Sequence, residues 1–312
     1  MNHLINVSDI PSVSQWLETG KLLGGKPEKY RGIGKGKTLC LLFFNNSLRT
    51  RLSTQKAASL LGMDVIVMNF GAEGWNLEFT DGTRMDGGAA EHVREAAAVV
   101  GQYADIIGVR AFADLQDAET DREERVVMGF VKYAGIPVLN LESATAHPLQ
   151  ALADALTIEA ESGERTPRVV LSWAPHPRAL PQAVPNSFIR MMRLMPVELA
   201  ITHPEGYELD PGQVGEYQPV YDQQEALQNA DFVYVKNWSS IRSYGAVLSQ
   251  DASWMMTKEK LGNAFFMHCL PVRRNVVVED AVLDSRQSLV LRQAANRTVA
   301  AQLGLLHLLE KL

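Results

Sequence analysis

Short apolar runs alternate with helix-forming stretches along most of this chain, and that alternation limits the fold more than any other feature. Strands are expected at 38–44, 64–68, 105–109 and 137–141, with helices at 51–61, 91–102 and 122–133. A breaker-free helix over 148–161 follows, and the pattern resumes. Strands are expected at 168–173, 197–202, 231–235, 264–268 and 288–291, with helices at 183–192, 223–230 and 257–261 and a final helix at 294–312. An opening helix over 8–20 would take Ser8 or Asp9 as its cap. Strands separated by helices of this length pair in parallel and are covered on both faces. A chain of 312 residues is also too long for one ordinary core. The expectation is therefore α/β, with two doubly wound parallel-sheet domains that meet near 145–165.

The first strand ends in Asn45-Asn46-Ser47 and feeds Leu48-Arg49-Thr50-Arg51 and a helix. The first N–H groups of such a helix are unpaired and point beyond the strand's end. Ser47 is the expected N-cap. Two arginines in a first turn oppose the positive end of the helix dipole unless an anion arrives. Donors, hydroxyls and guanidinium groups together suit a phosphate-like dianion. Net charge is −6, so the chain has no broad basic surface for nucleic acid and must concentrate its arginines locally to hold an anion. Gly32-Ile33-Gly34 precedes its strand instead of following it, which sets aside a dinucleotide fingerprint and a nicotinamide enzyme. No window suits a membrane span and the first residues lack a basic leader, so a cytoplasmic protein is expected.

Other strand tips also carry chemistry. Arg110 follows Ile106-Ile107-Gly108-Val109, where a guanidinium faces the crevice and matches an oxyanion. His147 and Gln150 straddle the start of a helix with Pro148 in its first turn; one can polarise a carbonyl, the other can read an amide or amine. Residues 173–185 hold four prolines, at 175, 177, 181 and 185, a stiff loop bearing His176 and Arg178. His268-Cys269-Leu270-Pro271 closes a later strand. Cys40 and Cys269 both sit in apolar runs and read as buried reduced thiols, Cys269 as structural in preference to nucleophilic.

Ser47-Leu48-Arg49-Thr50-Arg51, Arg110, His147-Pro148-Leu149-Gln150, His268-Cys269-Leu270-Pro271 and Arg297 together resemble, in order and spacing, the carbamoyl-phosphate set of the aspartate/ornithine carbamoyltransferases. The resemblance implies that fold, with a carbamoyl-phosphate domain at 1–147 on which the terminal helix 294–312 packs back, and an acceptor domain at 148–293. It implies that Ser47, Leu48, Arg49, Thr50, Arg110, His147 and Arg297 grip phosphate and carbonyl oxygens. Gln150 and the main-chain carbonyls of Cys269 and Leu270 would accept from the carbamoyl NH2. Arg110, His147 and Thr50 would be the groups aimed at the developing oxyanion. The family implies homotrimers with shared active sites, and neither a metal nor an organic cofactor.

The acceptor is narrower. Ornithine enzymes carry a Ser-Met-Gly that is absent here, and aspartate enzymes carry an Arg-x-Gln-x-Glu-Arg string where this chain has Val235-Lys236-Asn237-Trp238. Residues 173–187, Thr202-His203-Pro204-Glu205-Gly206-Tyr207 and Lys236-Asn237-Trp238 resemble the N-acylornithine branch. That branch implies that Glu142, His176, Lys236 and Arg273 contact the acylated amino acid, that Trp75 reaches a neighbouring subunit's site, and that the second domain is knotted around the proline-rich loop. A glutamate before the helix near 91 lines the acyl pocket of the acetyl enzymes and would repel a succinyl carboxylate. Ala90 stands there in this chain, and Val276-Val277-Val278 replaces a lysine of the acetyl pattern. Both favour N-succinylornithine, with N-acetylornithine as the alternative. A non-catalytic ligand-binding relative would have lost contacts that are all present here.

Overall fold

The computed structural model describes residues 2–163 and 165–312; Met1 and Glu164, the latter in the expected helix-ending stretch 162–167, lie outside the described residues. The chain divides into two compact units. The first comprises Met1–Asp114, Glu119–Leu149 and Arg297–Leu312; the second comprises Leu115–Ala118 and Gln150–Asn296.

The sheet of the first unit contains β1 (Thr38–Phe43) and β2 (Asp64–Asn69). A two-residue ladder of β3 (Leu77–Glu78) and β4 (Glu91–His92) comes next, followed by β5 (Ile106–Arg110) and β6 (Val138–Glu142), which complete the sheet. Its order is β2-β1-β5-β6, all parallel. The second unit holds β7 (Arg168–Trp173), β8 (Glu198–Thr202), β9 (Phe232–Lys236) and β10 (Phe265–Met267), in the parallel order β10-β9-β7-β8. Read from the other edge, the second sheet repeats the winding of the first. In each, the second strand lies on one side of the first and the third on the other. The winding therefore reverses beside β1/β5 and beside β7/β9, and the carboxyl ends of strands at such a reversal are where open α/β sheets bind ligands. The α/β parallel-sheet reading of the alternation holds.

The strands are apolar because both faces are covered. Leu39, Leu41, Leu42, Ile107 and Val109 are buried in the first sheet, and Val169, Val170, Leu171, Val233 and Val235 in the second. Gly108 lies on β5, where a Cβ would come within 2.8 Å of Leu41 Cδ2 and 3.1 Å of Leu141 Cδ1. The neighbouring leucines have filled that space.

Several local expectations change. The first long helix spans Val13–Gly25, and Ser12 caps it by accepting from Gln15 N; Val7–Asp9 forms a separate 3-10 turn. The helix expected at 122–133 is broken into Ala118–Arg122 and Arg125–Tyr133, with Glu124 at φ +48° between them. The strand expected at 288–291 is reduced to a bridge between Ser288 and Phe266, because the helix Val290–Leu308 has already begun. Among the described residues, no helix is long and apolar enough to cross a membrane.

Candidate active site

The helix after β1 is Arg49–Leu61, one residue short of what a Ser47 cap would give. Leu48 occupies the N-cap position with no side-chain cap, so capping does not use up the first-turn donors. Asn45, in the preceding turn, accepts from Phe112 N at 2.6 Å and ties that turn to the chain leaving β5. Phe43 lies opposite Arg110 in the β1/β5 register, so the helix start and the β5 tip share one end of the sheet.

Thr50, in the helix's first turn and 1% exposed, is the centre of the arrangement. Its Oγ1 accepts from Arg110 Nη1 at 3.0 Å and from Arg297 Nη2 at 2.7 Å. Both guanidinium groups are buried, at 7% and 6% exposure. A hydroxyl has two lone pairs. With both taken, Thr50 has only its O–H to offer, and is left as a donor. A neutral hydroxyl supplies no charge of its own to the two guanidinium groups that converge on it. Arg110 Nη1 donates to Glu142 Oε2 at 2.6 Å and its guanidinium stacks on Phe112 at 4.3 Å, while its buried Nε has no hydrogen-bond partner among the described residues. Glu142 Oε2 also lies 3.4 Å from His147 Nε2. Arg51 turns away, over the Phe43 ring and onto Asn69. The structure thus brings Thr50, Arg110, Glu142, His147 and Arg297 together, with Ser47, Leu48 and Arg49 at the adjoining helix start.

The loop that carries His147 is held by a residue the sequence reading passed over. Glu124 Oε1 accepts from Ser143 Oγ at 2.7 Å, Thr145 N at 2.8 Å and Thr145 Oγ1 at 2.5 Å. Its left-handed backbone, between two short helices, leaves no periodic signal in the sequence.

In the second unit, Lys236 ends β9 opposite Trp173 at the end of β7, and the proline-rich loop follows β7 directly. Arg273 Nε donates to His176 Nε2 at 3.1 Å, which leaves His176 Nδ1 as the protonated nitrogen, donating to Arg178 O at 2.8 Å. Burial lowers the His176 pKa, and Arg273, Lys236 and Arg178 lower it further against that hydrogen bond. The imidazole is therefore neutral within a cationic cluster, an environment suited to carboxylates. Gln150 donates through Nε2 to Asp154 Oδ1 at 2.8 Å, and Gln293 does the same at 2.8 Å. Asp154 lies four residues from Gln150 on one helical face, a spacing that could have flagged it. Leu270 sits at φ +38°, with its N–H donating to His268 Nδ1 at 3.1 Å. Cys269 is half-buried instead of buried, as its strand has already ended at Met267; Cys40 is buried, and burial raises its thiol pKa to about 11. Trp75 and Ala90 flank the β3/β4 ladder, just before its two strands. Ala90 N donates to Asn76 O at 3.0 Å, and the exposed Trp75 ring donates to Glu91 Oε2 at 2.9 Å.

The chain belongs to the aspartate/ornithine carbamoyltransferase family: residues 2–160 match its carbamoyl-P binding domain and residues 181–309 its Asp/Orn binding domain. Within it the chain is similar to N-succinylornithine carbamoyltransferases of Bacteroides fragilis and Bacteroides thetaiotaomicron, at 51% and 50% identity over 91% of each chain. It is 37% identical to the N-acetylornithine carbamoyltransferase of Xanthomonas campestris, over 84% of both chains. Among solved structures, acetylornithine transcarbamylase complexed with acetylcitrulline superposes with a TM-score of 0.91 at 34% identity, covering 99% of both chains. A form of the N-acetyl enzyme with a glutamate replaced by alanine, complexed with carbamyl phosphate and N-succinyl-L-norvaline, gives a TM-score of 0.90 at 35% identity, covering 99% of this chain and 100% of that one.

Proposed function

We propose that this carbamoyltransferase moves the carbamoyl group of carbamoyl phosphate to the δ-amine of N-succinyl-L-ornithine, giving N-succinyl-L-citrulline and phosphate. The observation that carries the reading is the convergence of two buried arginines on Thr50, an arrangement of guanidinium and hydroxyl donors suited to a phosphate. Arg49, Thr50, Arg110 and Arg297 hold the phosphate, with Ser47 and Leu48 lending main-chain donors. His147, Arg110 and the Thr50 hydroxyl, already obliged to donate, stabilise negative charge growing on the carbonyl oxygen. Gln150 and the carbonyls of Cys269 and Leu270 accept from the carbamoyl NH2. Lys236, His176 and Arg273 take the carboxylates of the acceptor, and Glu142 its polar amide edge. A C–N bond forms to the carbonyl carbon, the C–O bond to phosphate breaks, and the departing phosphate takes the amine proton. No enzyme nucleophile takes part.

Ala90 and the relatives at about half identity support succinyl over acetyl, and the complex of the glutamate-to-alanine N-acetyl enzyme with a succinyl amino acid fits the same charge argument. In this reading the enzyme is a cytoplasmic homotrimer, with Trp75 serving a neighbouring subunit. Citrulline formation measured in parallel with ornithine, N-acetylornithine and N-succinylornithine tests it. Turnover with N-succinylornithine at least about tenfold above the others is expected. A preference for N-acetylornithine would reassign the acceptor, and no turnover with any of them would end the reading.

A further inference from the structure

Two residues beyond the end of β5, an aromatic ring lies against the Arg110 guanidinium. We infer that Phe112 is a positioning residue: its ring face holds that guanidinium in one orientation, and the rate of carbamoyl transfer depends on it. The inference rests on the carbamoyltransfer reading and extends it to a residue that reading does not use.

All the groups concerned belong to the first unit. Among the described residues, Arg110 makes its side-chain hydrogen bonds through one nitrogen: Nη1 donates to Thr50 Oγ1 at 3.0 Å and to Glu142 Oε2 at 2.6 Å. Bonds from a single atom fix where that atom sits. They leave the planar guanidinium free to swing about it, carrying Nε and Nη2 along. Nε is buried and has no hydrogen-bond partner among the described residues, so no bond steadies the group from that side. The Phe112 ring supplies the missing restraint, with Arg110 Cζ 4.3 Å from its centroid. A ring face attracts a cation and bars one side of the guanidinium. The attraction is stronger where water is excluded, as it is at Arg110, which is 7% exposed.

Such a restraint is only as firm as the placement of the ring, and the chain around it is tied residue by residue. Phe44 N donates to Arg110 O at 3.0 Å, Ala111 N to Glu142 O at 3.0 Å, and Phe112 N to Asn45 Oδ1 at 2.6 Å. Arg110 and Phe112 are two apart where the chain runs on from a strand, so their side chains leave the same face. Asn45 lies in the turn that leads into the helix Arg49–Leu61, so the ring and Thr50 are both set by that turn. Arg110 therefore keeps one orientation. Donors held in place before the reaction stabilise growing charge without having to reorganise.

Replacement of Phe112 by phenylalanines carrying one, two, three or five ring fluorines tests this. Fluorine withdraws charge from the ring face and weakens its pull on a cation stepwise, while the ring keeps its shape and apolar character. Citrulline formation is measured with N-succinylornithine and with N-acetylornithine at varied carbamoyl phosphate. kcat should fall with each added fluorine, to about tenfold below the unaltered protein, with KM for carbamoyl phosphate within about threefold. A kcat level across the series would make the ring a packing surface and overturn the inference, as would a loss confined to KM. Phe112→Leu, which has no ring face, should lose about tenfold in kcat, and Phe112→Tyr should stay within about threefold. Equal losses in those two variants would also overturn it. The fluorinated proteins keep the native contact area, so the decision does not depend on Phe112→Leu folding. An unaltered protein that forms no citrulline from either acylornithine overturns the carbamoyltransfer reading itself.

Discussion

Arg297→Met separates an arginine kept for stability from one kept for an anion. Methionine is as good a helix former as arginine, so the helix Val290–Leu308 is not weakened by the change. The bonds from Arg297 and Arg110 to the Thr50 hydroxyl, 2.7 and 3.0 Å, place the two donating nitrogens within about 6 Å of each other. At that distance unit charges repel by about 3 kcal/mol at an effective dielectric of 20. The hydrogen bond lost from a charged donor is worth about 1.5–3 kcal/mol. Relief of that repulsion, itself softened by the Glu142 carboxylate on Arg110, offsets part of the lost bond, so the loss of the Thr50 contact by itself should cost the unliganded variant no more than about 3 kcal/mol. Ligand binding should not escape so lightly: truncating one partner of a buried charge pair costs about 2–5 kcal/mol, or a thirtyfold to several-thousandfold loss of affinity. Thermal unfolding with and without carbamoyl phosphate or inorganic phosphate measures both quantities. For the unaltered protein, ligand at a hundred times its Kd adds about 2.7 kcal/mol, and at the same concentration the variant should gain less than about 1 kcal/mol. A variant that keeps the full ligand-dependent gain would refute the reasoning.

Three further outcomes are expected. Ala90→Glu should lower kcat/KM for N-succinylornithine about tenfold, through repulsion between carboxylates, while sparing N-acetylornithine, as parallel citrulline assays would show. Glu124→Ala removes the acceptor of three hydrogen bonds and should lower kcat more than it raises KM for carbamoyl phosphate, since the loop bearing His147 loosens; Glu124→Gln, which keeps an oxygen there, should recover much of the rate. Burial lowers the pKa of His203 below its unfolded value, so protons favour the unfolded chain: stability should fall as pH drops through about 6.5, and His203→Asn should flatten that fall in denaturation curves taken between pH 5 and 8.

The alternation of apolar runs and helices made the two parallel sheets legible, because a strand covered on both faces must be apolar throughout and few other arrangements produce that pattern. The chemistry at the strand ends was legible for a related reason. A charge directly after an apolar run, as at Arg110 and Lys236, has no place but the sheet's rim. Helix starts were read less well. Ser12 and Leu48 are the observed caps, since capping depends on backbone angles that neighbouring Ser, Asp and Asn residues permit about equally. Side-chain commitments were beyond reach. Glu124 and Gln293 gain their meaning only from residues that the fold brings to them, and nothing local marks either one. The strand expected at 288–291 failed because a short apolar run suits a strand and the first turn of a buried helix alike.

The bond between Thr50 and Arg297 joins positions 247 residues apart. During synthesis the first sheet can be complete while the second arginine has yet to be made. In the proposed function the phosphate grip therefore closes only once Arg297 has been made, and a nascent chain that stops before the helix Val290–Leu308 cannot use the donor to steady itself. Assembly of the cluster thus doubles as a check on progress: only a chain that has reached Arg297 can bring both buried arginines to Thr50.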